Sequence, residues 1–233
     1  MCTYIKKFIK CNYMEEFEMN KNIKTRRFSI EDNFMKNKKV NDILYGYLQS
    51  VSHLDKEGKR FVYKDKVNFS NIEKVLDNGM KRVTLSRNFK FLLETGFVDK
   101  GQTVDLYGNL VHVYFLPYEK KSLYQMINID TLDYLVKGTN ANVIKVYSYL
   151  LNKYNWKTKE NSKYIFTKKE ILEKVGSSTT NQRDYDKVNV ILDILIKLKL
   201  IEIESFYCEN KNGVPTPKIR LLKVNETITR VKY

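Results

Sequence analysis

The chain repeats itself. Val40-Asn41-Asp42-Ile43-Leu44-Tyr45-Gly46-Tyr47-Leu48-Gln49 reads like Val143-Ile144-Lys145-Val146-Tyr147-Ser148-Tyr149-Leu150-Leu151-Asn152, at an offset of 103 (143 − 40). The same offset aligns Leu92-Leu93-Glu94-Thr95-Gly96-Phe97-Val98 with Leu195-Ile196-Lys197-Leu198-Lys199-Leu200-Ile201, and Phe61-Val62-Tyr63 with Tyr164-Ile165-Phe166. Three matches in one register argue for duplication, and so long a period is a small domain, not a solenoid repeat. Each copy then needs its own core, and 233 residues with 42% hydrophobic and 13% aromatic content supply enough apolar surface for two.

Charge is the second constraint. Lys and Arg number 42 against 27 Asp and Glu, a formal net charge of +15, and the excess is shared by both copies. An extended polyanion is the natural partner of such a chain. Lysine-rich composition also accompanies AT-rich genomes, which is the alternative origin of the charge. Cys2, Cys11 and Cys208 form an odd set with no pairing framework, which suits a reducing compartment. No apolar run approaches the ~18 residues that span a bilayer, and the lysines at positions 6, 7 and 10 break any signal-peptide core. These features point to a cytoplasmic protein without a membrane partner.

In the first copy, Ile43, Leu44, Tyr47 and Leu48 predict a helix over Val40–Ser52. Phe61–Tyr63 is a β-prone run, Ser70 is a candidate N-cap for a second helix over Asn71–Leu76, and Asp77-Asn78-Gly79 is a turn. A third helix begins near Lys81, with Leu85, Phe89, Leu92 and Gly96 along one stripe. Phe97–Lys100 and Leu110–Phe115 read as a hairpin with Gly108-Asn109 in its turn. The second copy runs in the same order. It has a helix over Asn142–Tyr154, a strand at Tyr164–Phe166, Thr167 capping a helix over Lys168–Val175 that Gly176 stops, and a helix over Tyr185–Lys199. Its hairpin pairs Ile201–Glu204 with Lys218–Leu222 around Asn212-Gly213, with Pro215 and Pro217 in the loop. Met126–Ile129 and Asp130–Val136 read as a strand and short helix opening this copy. The expected organisation is a leader or arm over 1–26, a first domain over 27–120 and a second over 121–233, with Tyr118–Ser122 as linker.

Helix, strand, helix, helix, hairpin is the order of a winged helix-turn-helix, so the expected fold class is α+β, predominantly α, with two such domains in tandem. Arg27–Phe34 with Ile43–Ser50, and Met126–Leu135 with Val143–Tyr149 and Tyr164–Ile171, resemble the winged-helix domains of replication initiators and replisome organisers from plasmids and phages of Gram-positive bacteria. The resemblance implies double-stranded DNA recognition, commonly as a homodimer, with the third helix in the major groove and the wing beside the backbone. Host replication proteins are the further partners it implies.

Lys81, Arg82, Thr84, Ser86, Arg87, Asn88 and Lys90 fall at the start of the first copy's third helix, in a ten-residue window, 81–90, that holds four cations and no acid. With Leu85, Phe89 and Leu92 inward, Thr84, Arg87 and Lys90 project outward, and Lys100 follows on the wing. Arg87 has the fork that matches guanine, and Asn88 the amide that matches adenine. A solvated helix face is the plain alternative. In the second copy the offset puts Val190 at the place of Arg87 and Asp193 at that of Lys90. Val188, Val190, Ile191, Leu192, Ile194, Leu195, Ile196 and Leu198 go round its helix, which predicts burial on more than one side and a docking or dimer surface. Ser178, Thr179, Thr180, Asn181, Gln182 and Arg183, with Lys187 and the wing residues Lys211, Lys218 and Arg220, remain candidates for phosphate contact. Lys21, Lys24, Arg26 and Arg27 read as a groove-entering arm or a leader.

Nothing in the sequence has the pattern of a catalytic site. His53 and His112 stand alone, with no cysteine or carboxylate at metal-ligand spacing. There is no phosphate-binding loop and no nucleophile elbow. The expectation is a DNA-binding protein with no cofactor that initiates or organises replication. The alternatives are a transcriptional regulator built from the same modules and a protein-interaction scaffold.

Overall fold

A computed structural model describes residues 24–36, 42–55, 57–76, 79–105, 107–117, 123–159, 163–210 and 212–228. The first module comprises β1 (Thr25–Ser29), α1 (Asp32–Met35), α2 (Asp42–Ser50), β2 (His53–Leu54), β3 (Arg60–Tyr63), a 3-10 turn (Lys64–Lys66), α3 (Phe69–Val75), α4 (Arg82–Glu94), β4 (Asp99–Val104) and β5 (Leu110–Phe115). The second comprises β6 (Tyr124–Asn128), α5 (Ile129–Gly138), α6 (Ala141–Lys159), β7 (Tyr164–Phe166), α7 (Lys168–Lys174), α8 (Gln182–Lys197), β8 (Ile201–Glu209) and β9 (Pro215–Val224). The order helix, strand, helix, helix, hairpin occurs twice. The interdomain segment Tyr118–Ser122 and leader residues 1–23 lie outside the described residues.

The expected predominance of helix is overturned. The described residues are 46% helix and 27% strand, a mixed composition with three antiparallel sheets. Their strand orders are β1-β6, β2-β3-β5-β4 and β7-β9-β8. The extra strand content has two sources. Both hairpins run further toward their tips than their apolar residues indicate, and β1, in a segment read partly as an arm, and β2, for which no strand is expected, pair with the expected strands β6 and β3. Pro215 and Pro217 lie in β9 opposite Glu209 and Tyr207, beyond the part of β9 that β7 reaches. Being two residues apart, they turn their nitrogens to the same open side, where no ladder bond is lost.

Local chemistry explains the helix boundaries. Thr167 caps α7 in a capping box, its hydroxyl accepting from the Glu170 amide at 3.2 Å while the Glu170 carboxylate accepts from the Thr167 amide at 2.6 Å. In the first module the cap is Asn68, not Ser70. Its Oδ1 accepts from the Ser70 and Asn71 amides at 3.0 and 3.3 Å, which starts α3 two residues earlier than Asn71.

The buried side chains form one continuous cluster through both modules. Leu85, Phe89 and Leu92 anchor α4, while Val188, Ile191, Leu192 and Leu195 anchor α8, each set along one stripe. Phe28, Phe34, Tyr45 and Phe97 meet edge to face, with ring centroids 5.0–6.2 Å apart. The modules join where β1 pairs with β6, Arg27 opposite Met126, and where α2 packs on α5 and α6. Gly46 makes that packing close: a Cβ there would lie 2.8 Å from Val136 Cγ2 and 3.5 Å from Leu132 Cδ1. Gly176, at φ +68, lies against the Lys36 backbone of the first module. Antiparallel pairing of the two strands that open the modules is what a local two-fold axis generates. Among the described residues, no helix is long and apolar enough to cross a membrane.

Candidate nucleic-acid interface

Helix α4 is held from below and open above. Its core stripe fixes its rotation, so Val83, Arg87 and Lys90 face away from the protein, and Lys81, Arg82, Thr84 and Ser86 are exposed around its first turns. Asn88 is half-buried at the edge of that face. The first turn contains no acid, and Lys81 gives the helix no side-chain cap. The capping bond comes from outside the helix instead. Glu73 of α3 accepts from the Arg82 amide at 3.1 Å and lies 3.5 Å from the Lys81 ammonium. One carboxylate thereby ties α3 to the first turn of α4, a role that the spacing of sequence signals did not reveal. Lys90 lies 3.7 Å from Glu94, both exposed. Among the described residues Arg87 has no hydrogen-bond or ion-pair partner, so its five donors face solvent. The helix start thus already meets one carboxylate, that of Glu73, and what it offers a further anion is the side-chain charge of Arg82 and Arg87 beside it.

The wing that follows is less basic. Lys100 is exposed on β4 opposite Tyr114, and Gln102 meets the His112 ring across the hairpin at 3.4 Å. The tip carries Val104 paired with Leu110 and the 90% exposed Tyr107.

The second module presents a different surface. Asn181 caps α8 by accepting from the Arg183 amide at 3.0 Å, and Asp184 and Asp186 occupy the following positions. Asp184 accepts from the Ser178 amide at 3.2 Å and holds Lys187 at 2.7 Å, while Gln182 donates to Asp186 at 3.1 Å. Ser178 and Thr180 bond to one another, and Thr179 accepts from the Tyr185 hydroxyl. Ser178, Thr180, Asn181 and Gln182 are thus engaged through their side chains within their own module, whereas, among the described residues, the exposed Arg183 guanidinium is not. Arg183 and Lys187 line an open groove of about 440 Å³ with Asn140, Asn142, Asp186 and Val190. On the hairpin, Arg220 pairs with Glu204 at 2.5 Å and lies over the Phe206 ring, and Lys218 is half-buried opposite Phe206. Lys211 lies outside the described residues.

Two expectations change. The apolar residues of α8 are not buried on more than one side: Val190 is 55% and Ile196 40% exposed, and the buried set is a single stripe. The stripe suffices because helix α8 meets its own module on one face only. Arg26 and Arg27 are not an arm. Both lie in β1, where Arg26 is buried and donates to the Gln49 carbonyl at 2.9 Å and to the Ser52 carbonyl at 3.4 Å. Arg60 joins it, donating to Ser52 Oγ and the Thr25 carbonyl, both at 3.3 Å. These guanidiniums serve the C-terminal end of α2, where cations are favoured. Burial lowers the pKa of both, that of Arg60 to about 10 with Arg26 and Arg27 nearby. Arg27 lies over the Tyr124 ring at 5.0 Å. Comparison with known protein families, characterised proteins and solved structures finds no match to the chain.

Proposed function

We propose that the chain is a sequence-specific double-stranded DNA-binding protein that reads bases with α4 and initiates or organises replication, as the initiators and replisome organisers of plasmids and phages that its sequence resembles do. The observation that carries this reading is the outward face of α4. It is rotationally fixed by Leu85, Phe89 and Leu92, has no acid in its first turn, and presents an unpaired Arg87. Arg87 is assigned to a guanine edge, with Thr84 and Asn88 beside it, and Lys81, Arg82, Lys90 and Lys100 to phosphates. Both modules pair some cations with carboxylates, Lys81 and Lys90 in the first and Lys187 and Arg220 in the second; the second is set apart by Asp184 and Asp186 in the first turns of α8, which make its helix start less favourable to DNA.

The exposed Val190 and Ile196 on α8 favour a protein contact there. We assign it to a second copy of the chain, giving a homodimer, with a host replication protein as the other occupant. Sedimentation of wild type and Val190→Asp separates these: loss of a dimer in the variant supports self-association.

The deciding experiment is binding to duplexes tiled across the gene's own neighbourhood, with a salt titration and scrambled competitors. Tight binding to one repeated element is expected, and its position separates an origin from a promoter, where a transcriptional regulator would act. Arg87→Ala should cost ~1–3 kcal/mol on the cognate element and relax specificity, whereas Lys100→Ala should weaken all sequences alike. Equal losses on cognate and random DNA for Arg87→Ala would remove the reading role.

A further inference from the structure

The two modules differ most at the end of their first long helix. At the repeat offset, Ser50, the last residue of α2, corresponds to Lys153, yet α6 continues to Lys159, six residues further (159 − 153). In the first module the corresponding segment turns into β2 instead. The added length carries Trp156, the sole tryptophan of the chain, which is 60% exposed. Tryptophan is the side chain that gains most from burial, so its placement outward on a helix extension needs a reason.

Its surroundings supply one. Tyr149, Lys153 and Trp156 follow at i, i+4 and i+7 on one stripe of α6. The Lys153 ammonium lies 5.6 Å from the Tyr149 ring centroid, 5.9 Å from that of Trp156 and 6.0 Å from that of Tyr164. Lys174 of α7 lies 5.6 Å from the Tyr149 ring on its own account. Tyr149 and Tyr164 share a hydrogen bond between hydroxyls at 3.0 Å, and Tyr164 stacks on Phe166, so the cluster is anchored in the core. Lys157 and Lys163 flank it. Of the acids of α7, Glu170 is held in the capping box and lies near enough to Tyr164 to add to the rise that burial gives its pKa, and Glu173 lies beside Lys169 at 3.9 Å.

We propose that Trp156, Tyr149 and Lys153, with Lys157, Lys163 and Lys174 around them, form a platform for single-stranded nucleic acid. The outward Trp156 ring, with the half-buried Tyr149 beside it in a cationic surface, matches the two things a single strand offers and a duplex hides or shares: an unstacked base face and a phosphate chain that follows it. The platform uses none of the α4 residues assigned to duplex DNA, so either assignment can fail without the other.

Because Trp156 is the only tryptophan, the emission of the full chain reports on it directly. Titration with an oligothymidylate about a dozen nucleotides long should quench that emission saturably, less so as salt rises. An oligodeoxyuridylate and an oligouridylate run in parallel, which differ only in the sugar, name the sugar that is preferred, and quenching by either supports the platform. Trp156→Ala, read with a labelled oligothymidylate, should weaken binding about tenfold, and Lys153→Gln severalfold, with the cognate duplex bound as before. Arg87→Ala should leave the quenching intact. The proposal is overturned if the emission does not move, or if an abasic oligonucleotide of the same length binds as tightly as the oligothymidylate, since the surface would then recognise phosphate alone.

Discussion

A single side-chain oxygen shapes three of the loops in this protein. Asp105 Oδ1 accepts from the Tyr107 and Asn109 amides, each at 2.8 Å, and Asn210 Oδ1 accepts from those of Asn212 and Val214 at 2.9 and 3.0 Å. Asp55 does the same for Glu57 and Lys59. In each case a glycine with positive φ follows three residues on. The pattern of Asp or Asn, two residues, then Gly is visible in the sequence, but only the pairs Gly108-Asn109 and Asn212-Gly213 stand out as turns, because the acceptor lies outside the dipeptide. The amide bonds, those from Asn109 foremost, hold the Asp105 carboxyl below its ordinary pKa. A depressed acid contributes stability above its unfolded pKa of 3.8 and loses it as pH falls through the folded value, so the first hairpin should loosen only in that acid range. Asp105→Asn is expected to keep both bonds, as Asn210 does, and to abolish the titration, while Asp105→Ala should lose both. Amide chemical shifts of Tyr107 and Asn109 followed against pH check this.

At the scale of elements, what was legible depended on whether a signal was local. The stripe Leu85, Phe89, Leu92 set the rotation of α4, and with it the outward placement of Thr84, Arg87 and Lys90, because a helix repeats its face every few residues. Thr167 announced α7 because an N-cap is also a local signal, and the structure adds Glu170 as its partner in the capping box. Charge pairing was not legible: Lys187 and Arg220 counted as cations until their neighbours Asp184 and Glu204 came within 3 Å. Nor was the face of a short strand. The offset of 103 matches Val62, which is fully buried, to Ile165, which is 43% exposed, so the repeat there preserves residue type and not side. Helix contact distance is a further non-local property, and Gly46 tests it. Alanine would gain ~1 kcal/mol of helix propensity, but its methyl would meet Val136 at 2.8 Å, and such overpacking costs ~1–3 kcal/mol. Gly46→Ala should therefore lower Tm by a few degrees, and Gly46→Ala with Val136→Ala should recover part of the loss.

For the whole molecule the governing contact is the pairing of Thr25–Ser29 with Tyr124–Asn128, the strand of one module completed by the strand of the other. The buried cluster passes through that junction, with Phe28 on one side and Ile127 on the other. Two polypeptides covering 24–117 and 123–228, coexpressed, should therefore co-purify as a one-to-one pair, and each expressed alone should bind a hydrophobic dye. Independent, dye-free folding of both halves would refute the shared core. The same pairing also orders events during synthesis. The first strand leaves the ribosome about a hundred residues before its partner exists, and growth at ~5–20 residues per second makes that a wait of ~5–20 seconds. Through that interval the edge of the newborn chain stands open to any other strand, so the time at which this protein is most exposed to mispairing is set by the distance along its sequence between two halves of one ribbon.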